Sequence, residues 1–239
     1  MIRTILVGLF LVIFFIVGLP VLLVEYIIGK FNRNARDKSS KVIVKFAFKV
    51  ILFISGVKID VTGKENIPMD EPLLIIGNHS GFFDILVLYT VIPHVFGFVA
   101  KKEIAKVPFL RLWMKLINCI FIDRTNIKEG LKSILKAIDK VKRGVSICIF
   151  PEGTRSHDGN LLPFKEGSFK IADKTGCAVL PVAIKGTADI FENHLPKIKK
   201  ARVTVKIAPP FYPDSLDKED RKHMGAYTQK IIQNMLDEM

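Results

Sequence analysis

The sequence holds only three cysteines, Cys119, Cys148 and Cys177, each standing alone in apolar surroundings. With no C-x-x-C pair and no even-numbered framework, a disulfide scaffold and a zinc site are both excluded. Small buried thiols in a reducing compartment are the expectation. No Walker A loop, G-x-G-x-x-G, H-E-x-x-H or G-x-S-x-G occurs, so nothing supports ATP-driven, metal-peptidase or serine-hydrolase chemistry. Internal repeats and low-complexity tracts are absent. Acidic residues are scarce: 23 Asp and Glu face 36 Lys and Arg in 239 residues, a net charge of +13. Such a surplus suits nucleic acid, an anionic membrane face or phosphorylated ligands. No base-reading motif accompanies it. With 49% hydrophobic residues, the membrane is favoured and no nucleic-acid partner is expected.

Charge is missing altogether from residues 5–24, ILVGLFLVIFFIVGLPVLLV. As a helix these 20 residues would be about 30 Å long, one hydrocarbon thickness. No A-x-A site follows them, which argues against a cleaved signal peptide. Gly18 and Pro20 predict a kink or break. A second apolar segment, residues 42–55, follows at once. Lys41, Lys45 and Lys49 fall four apart on one face of it, as in a helix lying in the interface with its lysines toward head groups. The connector carries Lys30, Arg33, Arg36 and Lys38 against Asp37 alone, a cluster drawn to anionic leaflets. Residues 1–57 therefore read as a two-helix membrane anchor, with a monotopic hairpin favoured over a single crossing. If the first helix spans, the connector's charge puts its C-terminal end in the cytoplasm; the expected location is the cytoplasmic face of a cell inner membrane. A hairpin packed on the protein's own core is the alternative.

From residue 58 onward strands and helices alternate. Residues 59–61, 72–77, 95–100, 119–122, 145–150, 178–184 and 202–207 read as strands. Residues 84–91, 103–116, 127–142, 167–174 and 218–237 read as helices. The expected fold is α/β, a mixed, largely parallel sheet flanked by helices, with residues 58–239 as one catalytic domain beside the membrane-associated hairpin. Sites in such sheets lie beyond the carboxyl ends of strands. Two unusual loops sit there.

The first is NHSGFFD, residues 78–84. His79 and Asp84 are five apart, which keeps them separate in a regular helix or strand. They can meet only across an irregular turn, which Gly81 permits. If they meet, His79 can take a proton from a hydroxyl while Asp84 fixes its tautomer; otherwise this is a strand end with a buried histidine. The second loop is FPEGTRS, residues 150–156. Arg155 there can grip a phosphate, with Glu152 orienting it or touching a substrate hydroxyl, or the segment is an ordinary turn. A third stretch, residues 97–124, places Lys101 and Lys102 at a strand-to-helix junction suited to an anion, or simply presents a solvated basic helix end.

Four blocks in order, NHSGFFD, KKEIAKVPF with FIDR, FPEGTRS with LPFKEGSFKIA, and VLPVAIKGT, resemble the glycerolipid acyltransferase family over roughly residues 58–208. The H-x4-D block alone would not be specific. The resemblance implies transfer of a fatty acyl group from a thioester to a lipid hydroxyl without a metal or other cofactor, the thioester being acyl-CoA or acyl carrier protein. It implies His79 as general base and Asp84 as its partner, with Lys101, Arg124, Glu152, Gly153, Thr154 and Arg155 on the acceptor. Lysophosphatidic acid, with its phosphate, free sn-2 hydroxyl and apolar tail, matches the cations, base and anchor, and phosphatidic acid would be the product. Membrane lipids are then the partners. An oxyanion donor is expected among backbone N–H groups near Gly153 or the His79 turn. Acylation of glycerol 3-phosphate or another lysophospholipid is the nearest alternative; a non-catalytic membrane scaffold is a more distant one. The family often has glycine where Arg111 and Asn118 stand here, so the third stretch departs from its pattern.

Overall fold

The computed structural model describes all residues except Arg124 and His157. It begins with helices α1 (Ile2–Phe31) and α2 (Arg33–Ser55). Strands β1 (Lys58–Thr62), β2 (Leu73–Gly77), β3 (Phe96–Lys101), β4 (Ile120–Ile122), β5 (Ser146–Ile149), β6 (Ala178–Lys185) and β7 (Arg202–Ile207) follow. Among them lie α3 (Phe83–Val91), α4 (Pro108–Leu116), α5 (Ile127–Lys142) and α6 (Lys170–Thr175), and α7 (Lys218–Lys222) and α8 (Met224–Asp237) close the chain. Among the described residues the strands form one sheet in the order β1-β7-β6-β2-β5-β3-β4. Neighbours are parallel except at β6–β7, so β1 and β7 oppose the other five strands. This is the mixed, largely parallel sheet read from the sequence.

Strand β2 is buried on both faces, and its side chains divide by parity, as a pleat requires. Leu73 and Ile75 join a cluster with Val87, Leu88 and Phe96. Leu74 and Ile76 join another on the opposite side with Ala137, Ile171 and Ile232 of α5, α6 and α8. The first cluster also takes in Val7, Val44, Ile51 and Leu52 of the N-terminal hairpin. The boundary drawn at residue 57 is therefore not a boundary of the core: the hairpin's inner face belongs to the main cluster.

Helix α1 runs unbroken through Pro20, which lies on its exposed side. Gly18 has a packing role instead of a breaking one. A Cβ there would come within 2.9 Å of the Trp113 ring of α4, whose indole also meets Phe14 at 5.1 Å. Along α1 the covered positions recur every three or four residues, among them Val7, Phe14, Gly18 and Glu25. Glu25 accepts hydrogen bonds from the hydroxyls of Ser39 (2.6 Å) and Ser40 (2.8 Å), which fastens α1 to α2. The opposite face is apolar and exposed, with Ile5, Leu9, Ile16 and Leu23 each 55% exposed or more. Helix α1 is long and apolar enough to cross a membrane.

The lysine face expected of α2 is corrected. Lys41 points inward, donating to the carbonyls of Ile92, Pro93 and His94 at the end of α3. Those carbonyls have no intrahelical partner, and an ammonium also suits the negative end of a helix dipole. The outward stripe of α2 is Val42, Phe46, Lys49 and Phe53, mostly apolar. Two other expected helices are shorter. Residues 102–106 form a 3-10 turn before α4, which starts at Pro108. The last helix breaks at His223 because Glu166 caps a new N-terminus, accepting from the N–H groups of Gly225 (2.9 Å) and Ala226 (3.2 Å). The three cysteines are buried and free.

Asn118 precedes β4 with φ +62°, the left-handed conformation in which glycine is most at ease and asparagine is tolerated. This explains how asparagine can stand where the resembled family often has glycine. Its carbonyl lies against Gly97, where a Cβ would sit 2.1 Å from that oxygen. Gly97→Ala is expected to cost about 3 kcal/mol or more, because backbone and not a flexible side chain must move. A melt showing a loss under about 1 kcal/mol would contradict this packing.

Candidate active site

The turn after β2 brings His79 and Asp84 together. Asp84 lies in the first turn of α3 and is fully buried. Its Oδ2 is 2.7 Å from His79 Nδ1 and accepts from the N–H groups of Ser80 (2.7 Å) and Gly81 (2.8 Å). Its Oδ1 accepts from the Thr187 hydroxyl. A carboxylate surrounded by donors acts as acceptor, so His79 Nδ1 carries the hydrogen. That leaves Nε2 with a lone pair for an incoming hydroxyl. The imidazole stacks on Phe150, centroids 4.2 Å apart and planes within 10°. Phe150 follows β5, the parallel neighbour of β2, so adjacent strand ends supply the imidazole and its platform.

The loop after β5 is tied to this turn. Glu152 is buried and takes the His79 N–H on Oε1 (2.7 Å) and the Leu162 N–H on Oε2 (3.0 Å). Burial pushes its pKa up, and these two N–H groups oppose the rise. The Ser156 N–H returns a bond to the His79 carbonyl at 2.8 Å. Asn78 clasps the other neighbouring strand, its amide exchanging two 2.8 Å bonds with the backbone of Ile184. Glu152 thus braces the backbone beneath the histidine, and the expectation that it orients Arg155 is corrected. The carboxylate on Arg155 is Glu192, 3.2 Å from a guanidinium nitrogen, while the guanidinium covers the Phe82 ring at 4.1 Å.

Gly153 takes φ +78°, and a Cβ there would meet the Lys165 ammonium at 2.6 Å. The positive φ is what favours glycine in this turn, since the lysine end could move aside. Thr154 is exposed beside it. Lys101 ends β3 at the same carboxyl edge of the sheet and pairs loosely with Glu103 at 3.8 Å. Lys102 turns to Asp123 at 2.5 Å. Arg124 lies outside the described residues.

Sequence reasoning missed three residues. Thr187 closes the VLPVAIKGT block, and its hydroxyl is the fourth donor to Asp84. Lys165 lies in the LPFKEG block. Glu192 belongs to no block, yet its Oε1 also accepts the Phe82 N–H at 2.6 Å, and a Cβ on Gly81 would meet its Oε2 at 2.6 Å. The backbone donors expected for an oxyanion are engaged here. Gly153 N–H bonds to the Phe150 carbonyl, and those of residues 79–82 bond to carboxylates. Of those carboxylates only Glu192 comes from outside the two loops that build the pair.

A family model described as Acyltransferase matches residues 58–185. A 1-acyl-sn-glycerol-3-phosphate acyltransferase of Borreliella burgdorferi is 36% identical over 156 residues, 65% of this chain and 62% of that protein. One of Saccharomyces cerevisiae is 30% identical over 193 residues, 80% of this chain and 62% of that protein. The chain thus spans 62% of the length of these curated relatives. The crystal structure of the 1-acyl-sn-glycerophosphate (LPA) acyltransferase PlsC from Thermotoga maritima superposes with a TM-score of 0.81 at 29% identity, covering 99% of this chain and 94% of that one.

Proposed function

The chain belongs to the acyltransferase family, and from that premise we propose that it moves a fatty acyl group from a thioester to the sn-2 hydroxyl of lysophosphatidic acid, giving phosphatidic acid for phospholipid synthesis. The observation that carries the reading is the His79 Nδ1–Asp84 bond of 2.7 Å at the mouth of the sheet, with Nε2 left free. The hydroxyl oxygen attacks the thioester carbonyl as Nε2 takes its proton. The tetrahedral intermediate collapses, the C–S bond breaks, and the imidazolium returns the proton to the departing thiolate. Asp84 keeps the ring in register and steadies its charge. A thiol leaves easily, so neither a covalent enzyme intermediate nor a metal or other cofactor is invoked. Acyl-CoA or acyl carrier protein supplies the thioester as co-substrate.

Arg155 fits the acceptor's phosphate, with Lys101, Gly153 and Thr154 at the same edge and Glu152 holding the loop; Arg124, outside the described residues, is assigned to the acceptor by the family resemblance alone. A phosphate arriving at Arg155 must displace Glu192 as its partner. Arg155→Ala is expected to raise KM for lysophosphatidic acid about 10- to 100-fold, the worth of a charged hydrogen bond, and to leave KM for an uncharged monoacylglycerol nearly unchanged. Equal damage with both acceptors would make Arg155 structural. The decisive test of the whole reading is the purified chain assayed with both donors and a panel of acceptors, products identified by mass. Preference for glycerol 3-phosphate or another lysophospholipid would replace the acceptor named here. No acyl transfer to any acceptor would leave a membrane scaffold.

The same reading seats the protein on the cytoplasmic face of the inner membrane as a monotopic enzyme. Its support is the covered stripe along α1, which reaches from Thr4, bonded to the Ile198 N–H, to Glu25. A helix held to its own domain over that length presents one face to lipid and lies in the interface.

A further inference from the structure

A large cavity lies far from His79. It is a cleft of about 1450 Å³ at the amino edge of the sheet, bordered by Pro93, His94 and Val95 ahead of β3 and by Gly144 and Val145 ahead of β5. The catalytic turn follows the carboxyl end of β2, which runs parallel to β5, so the strands' length, roughly 17 Å for five residues, separates the two. Nine lysines and arginines line the cleft against one acid, Asp37. Some already have partners. Lys41 serves the α3 carbonyls, Arg36 holds Asp37, Arg143 holds Asp139, and Lys140 donates to Asn118 Oδ1 at 2.7 Å. Lys30, Arg33, Lys38, Lys45 and Lys115 have no carboxylate partner among the described residues. Asn118 also lines the cleft; it is 4% exposed, and its Nδ2 has no hydrogen-bond partner.

The surroundings narrow the class of ligand. The connector between α1 and α2 forms one wall, and the exposed apolar residues beside it include Tyr26, Phe31 (87% exposed), Val42 (67%) and Phe46 (65%). A cationic cleft flanked by uncovered apolar side chains suits a molecule that carries a phosphate and an acyl chain together. We propose that this cleft binds the head group of an anionic phospholipid, as a second lipid site separate from the catalytic one. Its position on the hairpin lets a bound lipid fix how the amino edge of the domain meets the bilayer. Burial, and after it the charge of Lys45, lowers the pKa of Lys41 to about 7, so a bound anion would relieve an electrostatic cost already present in the fold.

The inference goes beyond acyl transfer and is tested without any donor. Short-chain dihexanoyl phosphatidylglycerol is titrated into the full chain by calorimetry, with dihexanoyl phosphatidylcholine and inorganic phosphate as comparison probes. Saturable binding of the anionic lipid near one per chain is expected, with phosphatidylcholine and millimolar phosphate much weaker. The triple variant Arg33→Gln, Lys45→Gln, Lys115→Gln should bind about 100-fold less tightly, at roughly fivefold per charge. The control Lys128→Gln, Lys132→Gln, Lys136→Gln removes equal charge from α5 and should bind as the unaltered chain does. Lys38→Glu alone, at an exposed position, should weaken binding at least fivefold and guards against a folding defect in the triple. Arg155→Ala should leave this binding intact, and the triple should leave acyl transfer to a water-soluble short-chain acceptor intact. Equal loss in both triples would reduce the effect to bulk charge and overturn the site. Equal affinity for inorganic phosphate would overturn its lipid character. Loss in Arg155→Ala would assign the binding to the catalytic site instead.

Discussion

Asp84→Asn is expected to fold almost normally and to lose acyl transfer by about 10²- to 10⁴-fold, as is His79→Ala. The asparagine result is the more telling. Its amide oxygen can take the place of Oδ2 and still accept from His79 Nδ1, Ser80 and Gly81, while its NH2 meets the Thr187 oxygen. Every bond that holds the turn is then kept. What is lost is the negative charge against the imidazolium that forms when the substrate hydroxyl is deprotonated. Asp84→Ala is different: it strands these donors without a partner and should also lower stability, by about 1–3 kcal/mol for each one left unsatisfied. The measurements are a thermal melt and a single-turnover rate for each variant. A folded Asp84→Asn or His79→Ala protein with near-normal turnover would remove the general-base mechanism.

Removal of residues 1–57 is expected to unfold the rest of the chain, not merely to release it from the membrane. Val7, Val44, Ile51 and Leu52 are each at most 7% exposed and sit in the cluster that covers one face of the sheet. At about 1.5–3 kcal/mol each they contribute roughly 6–12 kcal/mol, as much as a whole domain's net stability of about 5–15 kcal/mol. The loss would also bare Trp113 and Tyr89, which pack on Phe14 and Phe48. Circular dichroism and sedimentation of the truncated chain check this; a cooperative melt and a monomer would show that the domain stands alone from Lys58. Anchoring must be probed separately on the outer face. Leu9→Ser, Ile16→Ser and Leu23→Ser together should keep the fold and lose vesicle flotation.

Much of the core was legible because strands buried on both faces write an unbroken apolar run, as residues 73–76 do. The His79–Asp84 pair was legible as residue types at a spacing that only a turn can join. The loop after β5 was less so. Glu152 and Arg155 are three apart and of opposite charge, which suggests partners, yet folding gives Glu152 to the backbone of His79 and gives Arg155 a carboxylate 37 positions away. Sequence order carries no trace of that exchange. The hairpin misled for a related reason. Lys41, Lys45 and Lys49 do share a helical face, but a helical wheel does not say which face meets the protein, and the open carbonyls at the end of α3 draw Lys41 inward. Gly18 next to Pro20 looks like a break when only α1 is considered; the indole of Trp113, from α4, is what demands the glycine.

The one-sided exposure of α1 has a consequence for the membrane as a material. An enzyme that touches a bilayer from one side finds its acceptor and leaves its product in the same monolayer. Under the proposed function, each turnover there would replace a single-chain, cone-shaped lipid by a two-chain, nearly cylindrical one. The facing monolayer gains nothing, so synthesis loads one sheet of the bilayer with extra area and shifts its spontaneous curvature. On that reading, growth of both sheets at equal rate depends on transbilayer movement of lipid, a step separate from acyl transfer.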